Sequence, residues 1–317
     1  MAQSVVLTPP DCLISPHPLF FPLYIFFKPP PHPPDCLADR VEEDVEALEQ
    51  RDYGSMENPS LLRFLVDMRG EDTTTVQLRD DLITMLIAGH ETTASALTWA
   101  LFELVQQPEL LATVRKEIDE KLGDRRPTAE DIEALELVRL CIAESLRMYP
   151  EPPLLIRRAI EEDEIPRSAP EYQGETVKML RGSDIFIAVY NLHRSPKYWE
   201  NPDLFDPTRW HRPFKNPELA PEWKGYNPDL WRGQLLPTEN SCDFAFLPFG
   251  AGPRKCIGDN FAMMEATVAF AMLLRRYDFA FSPTGPTPRP EDVGTNTGAT
   301  IHTRNGMWMD VTKRPLP

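Results

Sequence analysis

Residues 249 to 258 read Phe249-Gly250-Ala251-Gly252-Pro253-Arg254-Lys255-Cys256-Ile257-Gly258 and run into a helix expected from Asp259. Glycines on both sides permit a tight turn that projects one thiol. The free N–H groups and dipole of a helix N-terminus favour a thiolate there. Arg254, two residues away, can hold an anionic group. A cysteine before a helix is, alone, more often structural than reactive, and local chemistry leaves both readings open. In Glu144-Ser145-Leu146-Arg147 a carboxylate and a guanidinium stand at i and i+3, on one helix face where they can pair. An ordinary surface ion pair, worth little, is the plain alternative. Ala88-Gly89-His90-Glu91-Thr92-Thr93 is the third constellation. A glycine inside a helix costs about 1 kcal/mol against alanine, and a buried carboxylate costs more unless it is used. Helix packing around a satisfied glutamate remains the competing reading.

The elements that must position these groups follow from composition and periodicity. The 317 residues are 42% hydrophobic and 26% charged, so a sizeable core can form and whole-chain disorder is excluded. Asp and Glu outnumber Lys and Arg 49 to 33, for a net charge of −16, which argues against wrapping nucleic acid. Five cysteines, an odd number without a CxxC pair, read as free thiols in a reducing compartment. Proline is in excess at 34 residues. Ten of these fall in the first 34 positions, around the apolar run Leu19 to Phe27. That run is broken by Pro22 and is far short of the ~20 residues a membrane span needs. The first cation, Lys28, follows the apolar run, and the first arginine is Arg40, so neither a secretory signal nor a transit peptide is recognisable. Residues 1–38 are expected to be a proline-rich, disordered leader.

From Asp39 the pattern turns helical, with one helix ending near Gly54 and a shorter one over Leu61 to Met68. Thr75 to Gln107 reads as one helix of roughly 45 Å or more, apolar around most of its circumference and so expected to run through a core. A transmembrane span is its rival, disfavoured by His90 and Glu91 at its middle. Helices are expected over Pro108–Leu122, Thr128–Met148 and Asp259–Tyr277, and strands over Leu154–Ala159, Thr176–Leu180 and Ile185–Tyr190. Asn296–Thr312 reads as a strand pair turning at Asn305-Gly306. Between Ser195 and Pro253 lies a long proline- and aromatic-rich segment without periodicity, and a coil that long inside a domain is usually functional.

The full spacing F-x-x-G-x-R-x-C-x-G over Phe249 to Gly258 resembles the heme-binding signature of the cytochrome P450 superfamily. The resemblance extends over about residues 39–312. It implies a mainly α fold with a small β component, the C-terminal, heme-binding part of the P450 domain. In that family the cysteine, here Cys256, binds the iron of heme b as a thiolate, with Phe249, Gly252 and Gly258 shaping the loop. Arg254 and Arg157 are then the candidate partners of the heme propionates. Glu144 and Arg147 match the family's ExxR pair, which joins a later arginine in a buried structural triad. Arg209 in Pro207-Thr208-Arg209-Trp210 takes that place, although the commoner form is Pro-Glu-Arg-Phe. The stretch Ala88 to Thr93 matches the distal oxygen-activation site, where Glu91 and Thr92 would relay protons. Ala88, Leu154 and Leu155, with Ala299 and Thr300, match substrate-contacting segments; plain core packing is the alternative for the last four.

Further strings are similar to the plastid carotenoid-ring hydroxylases: Val76 to Leu82, Arg157-Arg158-Ala159, Tyr190 to Pro196, Gly258 to Ala262 and Thr297 to Thr303. The resemblance implies a plastid monooxygenase that hydroxylates a carotenoid ring using O2, two protons and two electrons from a donor protein, a ferredoxin or a reductase. Its partners would include a hydrophobic small molecule and no nucleic acid, with room for peripheral membrane association. The alternatives are a fatty-acid or sterol hydroxylase of the same superfamily, or a truncated, non-catalytic relative. Family members carry a domain's worth of helices before the long helix, and 74 residues precede it here, so N-terminal truncation is expected.

Overall fold

A computed structural model describes residues 3–7, 74–166 and 176–315. The chain divides into two units, residues 11–90 and residues 1–10 with 91–317. The helices expected before Gly54 and over Leu61–Met68 lie outside the described residues, as does the expected leader apart from a strand at Gln3–Leu7.

Seven helices are described: α1 (Thr75–Val105), α2 (Pro108–Leu122), α3 (Ala129–Ala134), α4 (Glu136–Met148), α5 (Val189–His193), α6 (Asp259–Arg276) and α7 (Pro290–Val293). Helix α1 departs from expectation over its first half. Trp99, Ala100 and Leu104 are buried, whereas Ile83, Leu86 and Ile87 are exposed, Leu86 by 70%. Apolar residues on all sides of a helix exceed what one packing face can cover. No helix among the described residues is long and apolar enough to cross a membrane. Helix α2 opens on Pro108 and buries the stripe Leu111, Val114, Ile118 and Leu122.

The single helix expected over Thr128–Met148 is two. Leu135, fully buried, leaves helical geometry at φ −87°, ψ 58° and starts α4 afresh. The freed amides of Leu137 and Val138 donate to the Glu117 carboxylate of α2, at 2.9 and 3.1 Å. A side chain from another helix therefore caps α4.

The sheets are small and antiparallel. The strands are β1 (Gln3–Leu7), β2 (Leu155–Arg158), β3 (Asp163–Pro166), β4 (Thr176–Met179), β5 (Asp184–Ile187), β6 (Tyr277–Phe281), β7 (Thr295–Thr297), β8 (Ile301–Thr303) and β9 (Met307–Lys313). They pair as β1-β9-β6, β2-β5, β3-β4 and β7-β8. The expected strand pair turning at Asn305-Gly306 is therefore replaced by a hairpin turning at Gly298-Ala299-Thr300. The Gly298 amide donates to the Thr300 carbonyl at 2.9 Å. Asn305 binds Val293 O through its amide (3.0 Å) and Asp292 O through its side chain (2.7 Å). Gly306, at φ 76°, then turns the chain away from β8, and β9 pairs with β6.

Ser195 to Pro253 is irregular, as expected, and buried aromatics hold it. Tyr226 donates its hydroxyl to Trp210 O (2.5 Å) and accepts the Trp231 indole N–H (2.8 Å). The Trp223 indole donates to Cys242 O at 2.8 Å. Aromatic bodies fill the core while these polar ends bind backbone carbonyls of the segment.

Beneath this segment, every residue of α4 from Val138 to Met148 is buried. Glu144 accepts from Arg147 Nε and Nη2 at 3.0 and 2.8 Å, from Arg209 Nε at 2.9 Å and from the Asp206 amide at 3.1 Å. The remaining guanidinium donors reach carbonyls: Arg147 those of His193, Pro202 and Leu204, Arg209 those of Glu200, Asn201 and Leu204. The ExxR pair is a buried triad and not a surface ion pair. Glu144→Gln should lower stability by about 3–5 kcal/mol, because it leaves two guanidiniums without their shared counter-charge. Urea unfolding followed by tryptophan fluorescence checks this, with Asp184→Asn, which breaks the exposed Arg158–Asp184 pair, expected to leave the midpoint unmoved.

Candidate functional site

The turn carrying Cys256 is built by backbone bonds that glycine makes possible. Gly250 and Gly252 sit at φ 72° and 68°, in the region side chains rarely adopt. The Gly250 amide donates to Leu247 O (3.2 Å), the Lys255 amide to Gly252 O (3.0 Å) and the Cys256 amide to Phe249 O (2.9 Å). Phe249 packs against the core, so the loop is fixed at its base and Cys256 stands at its tip as an exposed, free thiol. The Gly258 amide donates to its sulfur at 3.4 Å, and α6 begins at the next residue. Lys255 ties the loop down, with Nζ 3.1 Å from Glu239 and 3.3 Å from Asp259. Cys141 and Cys242 are buried, and burial pushes both thiols up, Cys242 to about 12. Cys256 is the accessible thiol among the described residues.

Around it, Ile257 and Phe261 are exposed apolar side chains, by 89% and 64%. Strand β2 runs alongside the loop, since a Cβ at Gly250 would meet Leu155 Cδ1 at 3.8 Å. Arg254 is exposed and Arg157 half-buried, the latter donating to Ile156 O at 2.9 Å; neither is paired with a carboxylate among the described residues. These residues fit a heme. The donor is a single sulfur with an amide on it, and no cluster of three acidic, His or Cys ligands exists among the described residues. Two guanidiniums are available for carboxylates, and apolar surface lies open beside the thiol. Gly252 has open space where a Cβ would stand, and a Cβ at Gly258 would begin 3.9 Å from the sulfur.

The second group of expected residues meets on α1. Glu91 and Thr92 are half-buried. The hydroxyl on Glu91 is that of Thr300, whose Oγ1 donates to Glu91 Oε1 at 2.6 Å. This contact joins two expected site residues 209 positions apart. Ala299 beside it is exposed, as is Leu154, by 40%, while Leu155 is half-buried against the loop. Ala88 is exposed on the first half of α1.

Two buried groups had no role in the sequence reading. His193 of α5 accepts the Leu247 amide at Nε2 (2.7 Å), with Nδ1 3.3 Å from Leu146 O. It thereby connects α4 to the strand of coil that enters the Cys256 loop. Burial, reinforced by the Arg147 charge, pushes it down to about 3, so it is neutral. Glu151 accepts the Ile301 amide at 2.8 Å, and burial pushes it up to about 8. The strings His193-Arg194-Ser195-Pro196 and Pro150-Glu151-Pro152 were the available signals, a histidine closing a short helix and a lone acid among prolines.

Comparison with known proteins gives concordant matches. The family model described as Cytochrome P450 matches residues 33–308. Cytochrome P450 97B2, chloroplastic, of Glycine max is 52% identical over 88% of this chain and 47% of its own length. Protein LUTEIN DEFICIENT 5, chloroplastic, of Arabidopsis thaliana is 43% identical over 89% of this chain and 42% of its own. Carotene epsilon-monooxygenase, chloroplastic, of the same plant is 41% identical over 86% and 44%. The chain thus spans a little under half the length of these curated relatives. The crystal structure of the cytochrome P450DA heme domain superposes with a TM-score of 0.60 at 24% identity, over 88% of this chain and 54% of that one, a likeness of fold.

His193→Ala should unfix the loop from α4. Losing the buried acceptor of the Leu247 amide costs about 1–3 kcal/mol, read as a lower unfolding midpoint at neutral pH. The native chain should also lose stability as pH falls. The His193 contribution is complete above the ordinary 6.5 and disappears toward pH 3, because the unfolded chain takes up a proton there that the folded one refuses. The variant should lack that part of the acid dependence.

Proposed function

This chain belongs to the cytochrome P450 family, and on that footing we propose that the protein works as a heme-thiolate monooxygenase. It would place one oxygen atom of O2 into a C–H bond of a hydrophobic substrate, a carotenoid ring, in the plastid. The observation that carries the reading is the exposed Cys256 thiol, presented by a loop whose backbone bonds and buried triad leave it little freedom. Support for the substrate and compartment comes from relatives whose names include carotene epsilon-monooxygenase and chloroplastic.

When bound, heme supplies the O2 and C–H oxidation chemistry. Cys256 would hold its iron through the sulfur, with the Gly258 amide directed at that sulfur. Arg254 and Arg157 would take the propionate carboxylates as charge-assisted hydrogen-bond donors. Phe249 and Gly252 keep the loop in its one conformation, and Gly258 keeps side-chain bulk away from the sulfur. On α1, the Glu91 carboxylate and the Thr92 hydroxyl would hold and pass protons to the oxygen site. Thr300 fixes Glu91 for that work. Leu154, Leu155 and Ala299 offer uncharged contact to a hydrocarbon and contribute orientation, while electrons arrive from a donor protein, a ferredoxin or a reductase.

Cys256→Ser should leave the fold intact, because the side chain is exposed, and should abolish the carbon-monoxide difference band of a thiolate-ligated heme in the reduced protein. A band that survives the substitution contradicts the assignment of Cys256. In the heme-loaded enzyme supplied with an electron donor, a carotenoid with an unsubstituted ring should be hydroxylated and a fatty acid or sterol left unchanged; the reverse selectivity contradicts the substrate reading.

A further inference from the structure

The β7–β8 turn is gripped by side chains on both polar groups of Ile301. Its N–H donates to Glu151 Oε2 at 2.8 Å, and its carbonyl accepts from Ser95 Oγ and Trp99 Nε1 of α1, at 2.5 and 2.6 Å. One residue earlier Thr300, 3% exposed, donates to Glu91 Oε1. Two carboxyl groups from different elements therefore hold neighbouring residues of one turn. Glu151 is 6% exposed, and its second oxygen, Oε1, is buried without a hydrogen-bond partner. A half-satisfied buried acid is a stability liability. Its presence next to the oxygen-site acid calls for a use.

We propose that Glu151 is a positioning residue for Glu91: by fixing the Ile301 amide it keeps the Thr300 hydroxyl on Glu91 Oε1, and so sets the orientation of the acid beside Thr92. The consequence for turnover rests on the monooxygenase reading, whereas the clamp is a property of the chain alone. The groups facing Glu151 are Ser95 and Glu91 of α1 and the Ile301 amide of β8. Burial pushes its carboxyl up from the ordinary 4.5 to about 8, with the neighbouring Ser95 hydroxyl and the Ile301 amide opposing that rise and the Glu91 charge adding to it. Neutral, Glu151 grips the turn without opposing Glu91. Ionised, it sets like charges against each other in poorly screened surroundings. The folded chain keeps a proton that the unfolded chain loses, so this stability contribution is complete below pH 4.5 and is lost as pH rises through about 8.

The test follows the Ile301 amide by 1H–15N NMR from pH 5 to 9 in the full 317-residue chain, without heme. The amide shift should titrate with a midpoint near 8 in the native chain, lose that titration in Glu151→Gln, and titrate at lower pH in Glu91→Gln. Hydrogen exchange at Ile301 should accelerate in Glu151→Leu and stay slow in Glu151→Gln, which keeps an acceptor. In the heme-loaded enzyme, turnover should decline above pH 8 in the native protein and stay level in Glu151→Gln. No titration at Ile301 in the native chain, or a midpoint unmoved in Glu91→Gln, overturns the proposal. If the NMR results hold and no thiolate-ligated heme forms, the functional reading fails and the clamp stands.

Discussion

The carboxylate of Glu144, buried between two guanidiniums, is the constraint on which the rest of the structure depends. Two positive groups and one negative group are fully or nearly desolvated at 0%, 8% and 0% exposure for Arg147, Arg209 and Glu144. Such a group is tolerable only when every donor and acceptor is matched. Here the matching partners are the His193 carbonyl at the end of α5, carbonyls of the irregular segment up to Leu204, and the Asp206 amide. The segment has no ladder of its own, so the triad replaces one. Moving Arg209 or its neighbours would strand a charge in the core, which makes the arrangement a choice between intact and broken and not a graded one.

From that anchor the chain reaches the thiol in short, bonded steps. Arg147 holds the His193 carbonyl, the His193 ring holds the Leu247 amide, and Leu247 opens the turn whose later members are Phe249 and Cys256. The order of energies is instructive. The charged triad is worth several kcal/mol when broken, whereas each neutral bond in the loop is worth about one. A loop built from weak bonds can be well defined because its foot is fixed by a strong one. The Glu91 side uses the same device at lower charge, with Ser95, Trp99 and Glu151 gripping the backbone of Ile301 so that Thr300 meets Glu91.

Much of this was legible in the sequence, and for definite reasons. The Cys256 loop was readable because its full spacing resembles the heme-binding signature of the P450 superfamily; local geometry alone left its cysteine between a structural and a reactive reading. The helices α2 and α6 were readable because periodicity, Pro108 and the Gly258-Asp259 start are local signals. The ExxR pair could be found by spacing, yet spacing alone left it equally a surface pair; only burial distinguishes the two. What was not legible depends on contacts remote in sequence. The break at Leu135 exists because Glu117 of another helix accepts the freed amides. The turn at Asn305-Gly306 looked like a hairpin, but Asp292 and Val293 capture Asn305 and redirect β9. Exposure of Leu86 and Ile87 could not be read from a helix apolar on all sides, and Thr300 as partner to Glu91 lies 209 residues away.

The central claim is that the triad presents Cys256, alone among the described cysteines, to a heme. Peptide-resolved alkylation of the native chain, with and without added heme, measures it directly. The account predicts fast labelling of Cys256 and slow labelling of Cys141 and Cys242 without heme, and protection of Cys256 once heme is present. Equal labelling of Cys256 with and without heme, or labelling of the buried pair as fast as Cys256, would contradict it.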